Sequence, residues 1–132
     1  MDNNQLSQLE QYRKTNVVAY DSQWPLLYEV EQEKIKAILR NDLVAIHHIG
    51  STSVPGILAK PVIDIMVLVN DIHILENYKT DLEFMGYHWI GEYSIPGRRY
   101  LWRIGDKIDY HLQCFQHNHI AATNCLVFVN CN

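Results

Sequence analysis

The chain has 132 residues, 48% hydrophobic and 20% charged, the proportions of one soluble domain around one core. Eleven Lys and Arg against fifteen Asp and Glu leave a net charge of −4, which argues against long nucleic acid as a partner. No apolar run approaches the roughly 20 residues of a membrane helix, and the opening MDNNQLSQLEQYRKTN lacks a signal peptide's basic end and apolar stretch, so no membrane is expected and the expected compartment is the cytoplasm.

In chain order, residues 1–16 read as a polar arm or short helix, with Leu6, Leu9 and Tyr12 at helical spacing, and residues 17–132 as a single domain. Residues 17–20 are a short extended run. Asp21 to Pro25 then supply a cap and a proline near a helix start. Leu27, Val30, Ile35, Ile38 and Leu39 form one apolar stripe up to Arg40, which predicts an amphipathic helix. Residues 43–49 have strand character and break at Gly50, and VIDIMVLV at residues 62–69 reads as a buried central strand. A helix is expected over 72–85, closed by Gly86. Strands follow over 87–92, 99–104 and 108–115, with Pro96-Gly97 and Gly105-Asp106 as turns.

The tail from Gln116 ends in CLVFVNCN, with Leu126, Val127, Phe128 and Val129 in one run. So apolar an ending predicts self-association through the tail, and suggests that a covering segment is missing. Cys114, Cys125 and Cys131 are odd in number and have no CxxC spacing, which argues against disulfides and structural zinc.

The chemistry concentrates in HHIGSTSVPGILAKPVIDIMV, residues 47–67. A glycine after a strand lets backbone N–H groups approach an anion, and Ser51, Thr52 and Ser53 add hydroxyl donors. Asp64 sits in an otherwise apolar strand, where an ionised carboxylate needs a partner. A Mg²⁺ ion bridging phosphate oxygens would compensate it; so would Lys60, and the three hydroxyls could equally cap a short helical turn. Adjacent strand residues face opposite sides, so at most one of Arg98 and Arg99 points into a cleft; Arg99, which begins the strand, is the expected anion reader. Trp24, Trp89 and Trp102 read as core, and His117 and His119 as solvated loop residues.

The stretch HHIGSTSVPGILAKPVIDI resembles the signature of the GrpB-like family, a branch of the nucleotidyltransferase-fold superfamily. The likeness extends to Tyr20-Asp21-Ser22-Gln23-Trp24, to Arg98-Arg99-Tyr100 and to His111-Leu112. It implies an α+β fold, a nucleotidyltransferase-like mixed β-sheet with helices packed on one side. It also implies a ligand that is a nucleotide or other phosphorylated small molecule, bound with Mg²⁺. Gly50, Ser51, Thr52, Ser53, Lys60 and Arg99 would hold the phosphates, and Asp64 would hold the metal.

The departures from that pattern bear on activity. Active superfamily members carry two acids one residue apart, whereas Met66 takes the second place here, and His111-Leu112-Gln113-Cys114 stands where the family resembles HLHV. Asp109 is then the candidate replacement metal ligand, and His111 or Asp109 the candidate general base of a nucleotidyl or phosphoryl transferase. The alternatives are a non-catalytic module linked to coenzyme A, since relatives occur joined to dephospho-coenzyme A kinase, and a truncated inactive copy.

Overall fold

The computed structural model describes residues 2–5, 8 and 16–127, with side chains up to residue 124. Helix α1 spans Trp24–Leu39 and α2 spans Lys79–Phe84, while α3, Ile120–Val127, takes up part of the expected tail. The strands are β1 Leu43–Ile49, β2 Val62–Val69, β3 His88–Gly91, β4 Arg99–Ile104 and β5 Asp109–Gln116. Leu6, Leu9 and Tyr12 of the expected arm, and Phe128 and Val129 of the apolar run, lie outside the described residues.

The strands form one mixed sheet in the order β1-β2-β5-β4-β3. β1 and β2 pair antiparallel, β2 and β5 parallel, and β3, β4 and β5 form an antiparallel meander. Side-chain alternation divides the sheet into two faces. Ile63, Ile65, Val67 and Val69 of β2, with Leu101, Tyr110, Leu112 and Cys114, pack against Trp24, Ile35 and Leu39 of α1 and against Ile72, Leu75 and Leu82. This is the main core, and α1 and the 72–84 segment cover it. On the other face Met66, Leu68, Phe115 and Ile49 gather around Ala122 of α3, and Tyr100 and Trp102 form a smaller group.

Val30, expected on the buried stripe of α1, is 56% exposed. Helical spacing between Trp24 and Ile35 turns Glu31 toward the sheet instead. Glu31 is satisfied there: Arg103 donates Nε to Oε2 at 3.0 Å and Nη2 to Oε1 at 2.7 Å, and the Tyr87 hydroxyl donates to Oε2 at 2.6 Å. Burial is the largest cause that holds the Tyr87 phenol well above its ordinary range, with the Glu31 charge adding to it.

Asp21, the expected cap of α1, forms a turn just before the helix, accepting from Gln23 N at 2.8 Å, while Pro25 sits in the first turn as expected. The helix expected over 72–85 begins as a 3₁₀ segment, Ile72–Tyr78, and becomes α-helical only over Lys79–Phe84. Its sequence, IHILENY, is rich in weak helix formers, and Asp71 fixes its start by accepting from His73 N at 3.0 Å. Gly86 closes the segment as expected: its own N–H bonds Glu83 O and the N–H of Tyr87 bonds Leu82 O, the paired Schellman pattern.

Candidate functional site

β1 ends in Gly50 at φ +77° and ψ −175°, a backbone open only to glycine. The register sets Ile49 opposite Asp64, so the chain leaving β1 passes over that carboxylate. A Cβ at position 50 would stand 2.6 Å from Asp64 Oδ2. The turn and the carboxylate are one unit.

Ser51–Ser53 then make a 3₁₀ turn. Thr52, buried, gives its hydroxyl proton to Val62 O at 2.8 Å and lies 3.0 Å from His48 Nε2. The hydroxyl has one proton, so His48 must be the donor to Thr52 Oγ1 and carries its hydrogen on Nε2. Burial lowers the His48 pKa to about 4, which keeps the imidazole neutral, and its ring stacks on Tyr28 at 4.8 Å. The Ser53 hydroxyl bonds back to Gly50 O at 2.5 Å. Two of the three hydroxyls expected to meet a ligand therefore shape the turn, and Ser51 alone keeps its hydroxyl unengaged among the described residues. Lys60 is half-buried.

Across the sheet, β2 and β5 set Asp64 opposite His111, Val62 opposite Asp109 and Met66 opposite Gln113. β4 sets Trp102 opposite His111 and Tyr100 opposite Gln113. Asp64, His111 and Trp102 thus form one row across three strands on the face away from α1. His111 Nδ1 lies 2.9 Å from the Tyr100 hydroxyl and 3.7 Å from Asp64 Oδ1, and Trp102 stacks on the imidazole at 5.5 Å. All four side chains are buried. The row can hold and orient a proton on His111 next to a carboxylate.

The structure brings Gly50, Ser51, Asp64 and His111 together and leaves other expected residues apart. Asp109 shares the face but sits at its end, where Oδ1 accepts from Gly105 N at 3.3 Å. Among the described residues no three His, Cys, Asp or Glu side chains cluster to hold a metal ion. One carboxylate beside one imidazole is a poor donor set for Mg²⁺, which prefers oxygen ligands in octahedral array. These residues do not fit a resident Mg²⁺ ion.

Arg99 points the other way from the row. It pairs with Cys114 in the ladder, on the α1 side, and its Nε lies 2.6 Å from Glu76 Oε1. Arg98 is the arginine on the Asp64 face, and sequence reasoning chose its neighbour. It donates to Gln113 Oε1 at 3.2 Å, Tyr93 O at 2.5 Å and Glu92 O at 3.2 Å, and lies over the Tyr100 ring at 4.5 Å. The signal was present: Leu101 must face the core, and Arg99 shares its parity. His119, expected as a solvated loop residue, links α3 to the 92–98 connection, accepting from Ala121 N at 3.0 Å and donating to Pro96 O at 2.8 Å. Two clefts lie away from this face: about 610 Å³ between Lys36, Arg40 and the β1 edge, and about 340 Å³ beside Arg103, Lys107 and Tyr110. No helix among the described residues is long and apolar enough to cross a membrane.

Comparison with known proteins gives a consistent result. Residues 14–131 match the family model described as GrpB protein. The UPF0157 protein YqkA of Bacillus subtilis is 34% identical over 116 residues, covering 88% of this chain and 34% of YqkA. The UPF0157 protein SCO7215 of Streptomyces coelicolor is 37% identical over 109 residues, covering 83% of this chain and 56% of that protein. The chain therefore spans about a third to a half of the length of these relatives. The crystal structure of conserved protein GrpB from Enterococcus faecalis superposes with a TM-score of 0.78 at 34% identity, over 82% of this chain and 66% of that one.

Proposed function

From the premise that the chain belongs to the GrpB family, we propose that the face carrying Asp64 and His111 binds a small phosphorylated molecule, a nucleotide being the first class to test. None of the relatives' names states a reaction, so the reading rests on the site. The observation that carries it is the fit of Gly50 against Asp64, with no room for a Cβ between them. It joins a glycine turn, whose backbone and Ser51 hydroxyl can meet an anion, to a buried carboxylate beside an imidazole.

A phosphate next to Asp64 needs positive charge. His111 can supply it as imidazolium, with Asp64 as counter-charge. The same pair suits general acid–base work, but with Met66 in the second acid's place the two-metal geometry of in-line transfer is not assembled. No step of this reading runs through a metal, and any Mg²⁺ at this face would arrive as the counter-ion of the ligand's phosphates. Binding is the activity proposed, with transfer as a finer question behind it.

Calorimetric titration with pyrophosphate, ATP and coenzyme A, each with and without Mg²⁺, tests the reading. One-site binding that weakens in Ser51→Ala and His111→Gln is expected. Absence of binding by every phosphorylated probe to the folded chain would overturn it.

A further inference from the structure

Trp102 is 2% exposed, and its indole Nε1 finds no hydrogen-bond acceptor among the described residues. An indole N–H can only donate, and a buried one ordinarily finds an acceptor because leaving it unmet is costly. This donor lies on the same face as the candidate site. Trp102 pairs with His111 in the ladder and stacks on its ring.

Among the described residues Trp102 packs with Tyr100, Ile90 and Ile104, stacks on His111, and meets the ring of Tyr93 edge-on at 5.9 Å, a ring that also lies 5.7 Å from Tyr100. Tyr93 is 54% exposed and belongs to the connection between β3 and β4. Its φ is +46° and that of Ser94 is +70°, two consecutive non-glycine residues in the left-handed region, where strain is stored. Arg98 holds this connection by its bonds to Tyr93 O and Glu92 O.

We infer that Trp102 Nε1 is a ligand contact: a planar heterocyclic ring of the nucleobase class seats against Trp102 in the place of the Tyr93 ring, and a ring acceptor takes the indole N–H. The inference rests on the reading of the Asp64 face as the ligand site, and specifies the other end of the ligand. Asp64 and Trp102 stand two strand spacings apart, roughly 10 Å, so a phosphate at the Gly50–Ser51 turn and a ring at Trp102 can belong to one molecule. Tyr93 is the displaceable cover, and the left-handed pair at 93 and 94 is where the backbone turns to release it.

Protein labelled with ¹⁵N at its indoles gives one N–H signal for each of Trp24, Trp89 and Trp102, assigned with Trp24→Phe and Trp89→Phe. In the ligand-free chain the Trp102 proton should exchange by local opening, independent of low urea concentrations, and at least tenfold faster in Tyr93→Ala. Adenosine and ATP should each move the Trp102 signal and slow its exchange. If ATP binds by calorimetry while neither compound moves Trp102, this inference fails and the phosphate reading stands. If adenosine moves Trp102 but no phosphorylated probe binds more tightly than adenosine, the phosphate reading fails and this one stands. Exchange of Trp102 only through global unfolding, with its signal fixed under both compounds, also overturns the inference.

Discussion

Gly50 and Asp64 touch across the end of the β1–β2 ladder so closely that a methyl group on Gly50 would stand 2.6 Å from Oδ2 and 3.2 Å from Cβ of Asp64. Gly50→Ala therefore meets two penalties, a side chain at φ +77° and a collision with a buried carboxylate. Urea denaturation should show a loss of about 2–4 kcal/mol, and phosphate-probe affinity should fall with it. A loss under about 0.5 kcal/mol, the range of a featureless surface site, would mean the turn relaxes freely.

Asp64→Asn keeps the shape and removes the charge. The expected outcome is a folded variant whose ATP affinity falls by the same factor with and without Mg²⁺, measured by calorimetry, because Asp64 acts as counter-charge to the His111 imidazolium. If the variant instead unfolds several kcal/mol more easily with ATP affinity unchanged, Asp64 serves the fold as a buried charge partner.

Met66 is fully buried on the Asp64 face beside Ile49 and Phe115. Met66→Asp restores the superfamily's pair of acids at the cost of an uncompensated buried charge. Thermal melting should show strong destabilisation without divalent metal and recovery of several degrees on adding Mg²⁺. A melting temperature indifferent to Mg²⁺ would show that the backbone no longer supports a paired-acid site.

The buried carboxylate of Glu31 pairs with the half-buried Arg103, and Tyr87 completes its bonds. Arg103→Met leaves Glu31 charged and buried, so about 3–5 kcal/mol should be lost. The double variant Glu31→Leu with Arg103→Met should regain much of that, because no unpaired charge remains. A double variant as unstable as Arg103→Met would assign the loss to the Arg103 guanidinium stacked over the Tyr110 ring instead.

His48 has its pKa lowered to about 4 by burial, against about 6.5 in an unfolded chain. Between these values the unfolded state binds more protons, so stability rises with pH across the window and is lost as pH falls from about 6.5 toward 4. Urea midpoints at pH 7 and pH 4.5 should differ by less in His48→Asn than in the parent. An equal pH dependence in both would place the titration elsewhere.

Much of the fold was legible because its signals are local and repeated. VIDIMVLV announced a strand buried on both faces, and the stretch before Gly86 announced a helix end. The glycine turn and Asp64 were visible as a motif, and the strand pairing that unites them with His111 followed the expected sheet. Arg98, the Trp102 donor and Glu31 were missed for a common reason: their roles depend on which face a strand or helix presents, and composition alone does not reveal that face until a core neighbour such as Leu101 or Ile35 fixes it. The 3₁₀ start at Ile72–Tyr78 was missed because apolar spacing alone does not separate the two helix types over so short a run.

β2 and β5 are the parallel pair of this sheet, and they join an early hairpin, β1 with β2, to a late meander of β3, β4 and β5. A parallel neighbour cannot be reached through a tight turn, so closing that seam means closing the loop of the whole segment from Asn70 to Ile108. The GSTSVPG motif lies wholly in the first half, yet the row it serves exists only after the second half docks. During synthesis the hairpin emerges with its carboxylate but without His111, and the seam is the slow, long-range step of folding. A stopped-flow probe at Trp102 would therefore report the arrival of a competent site rather than the collapse of the chain.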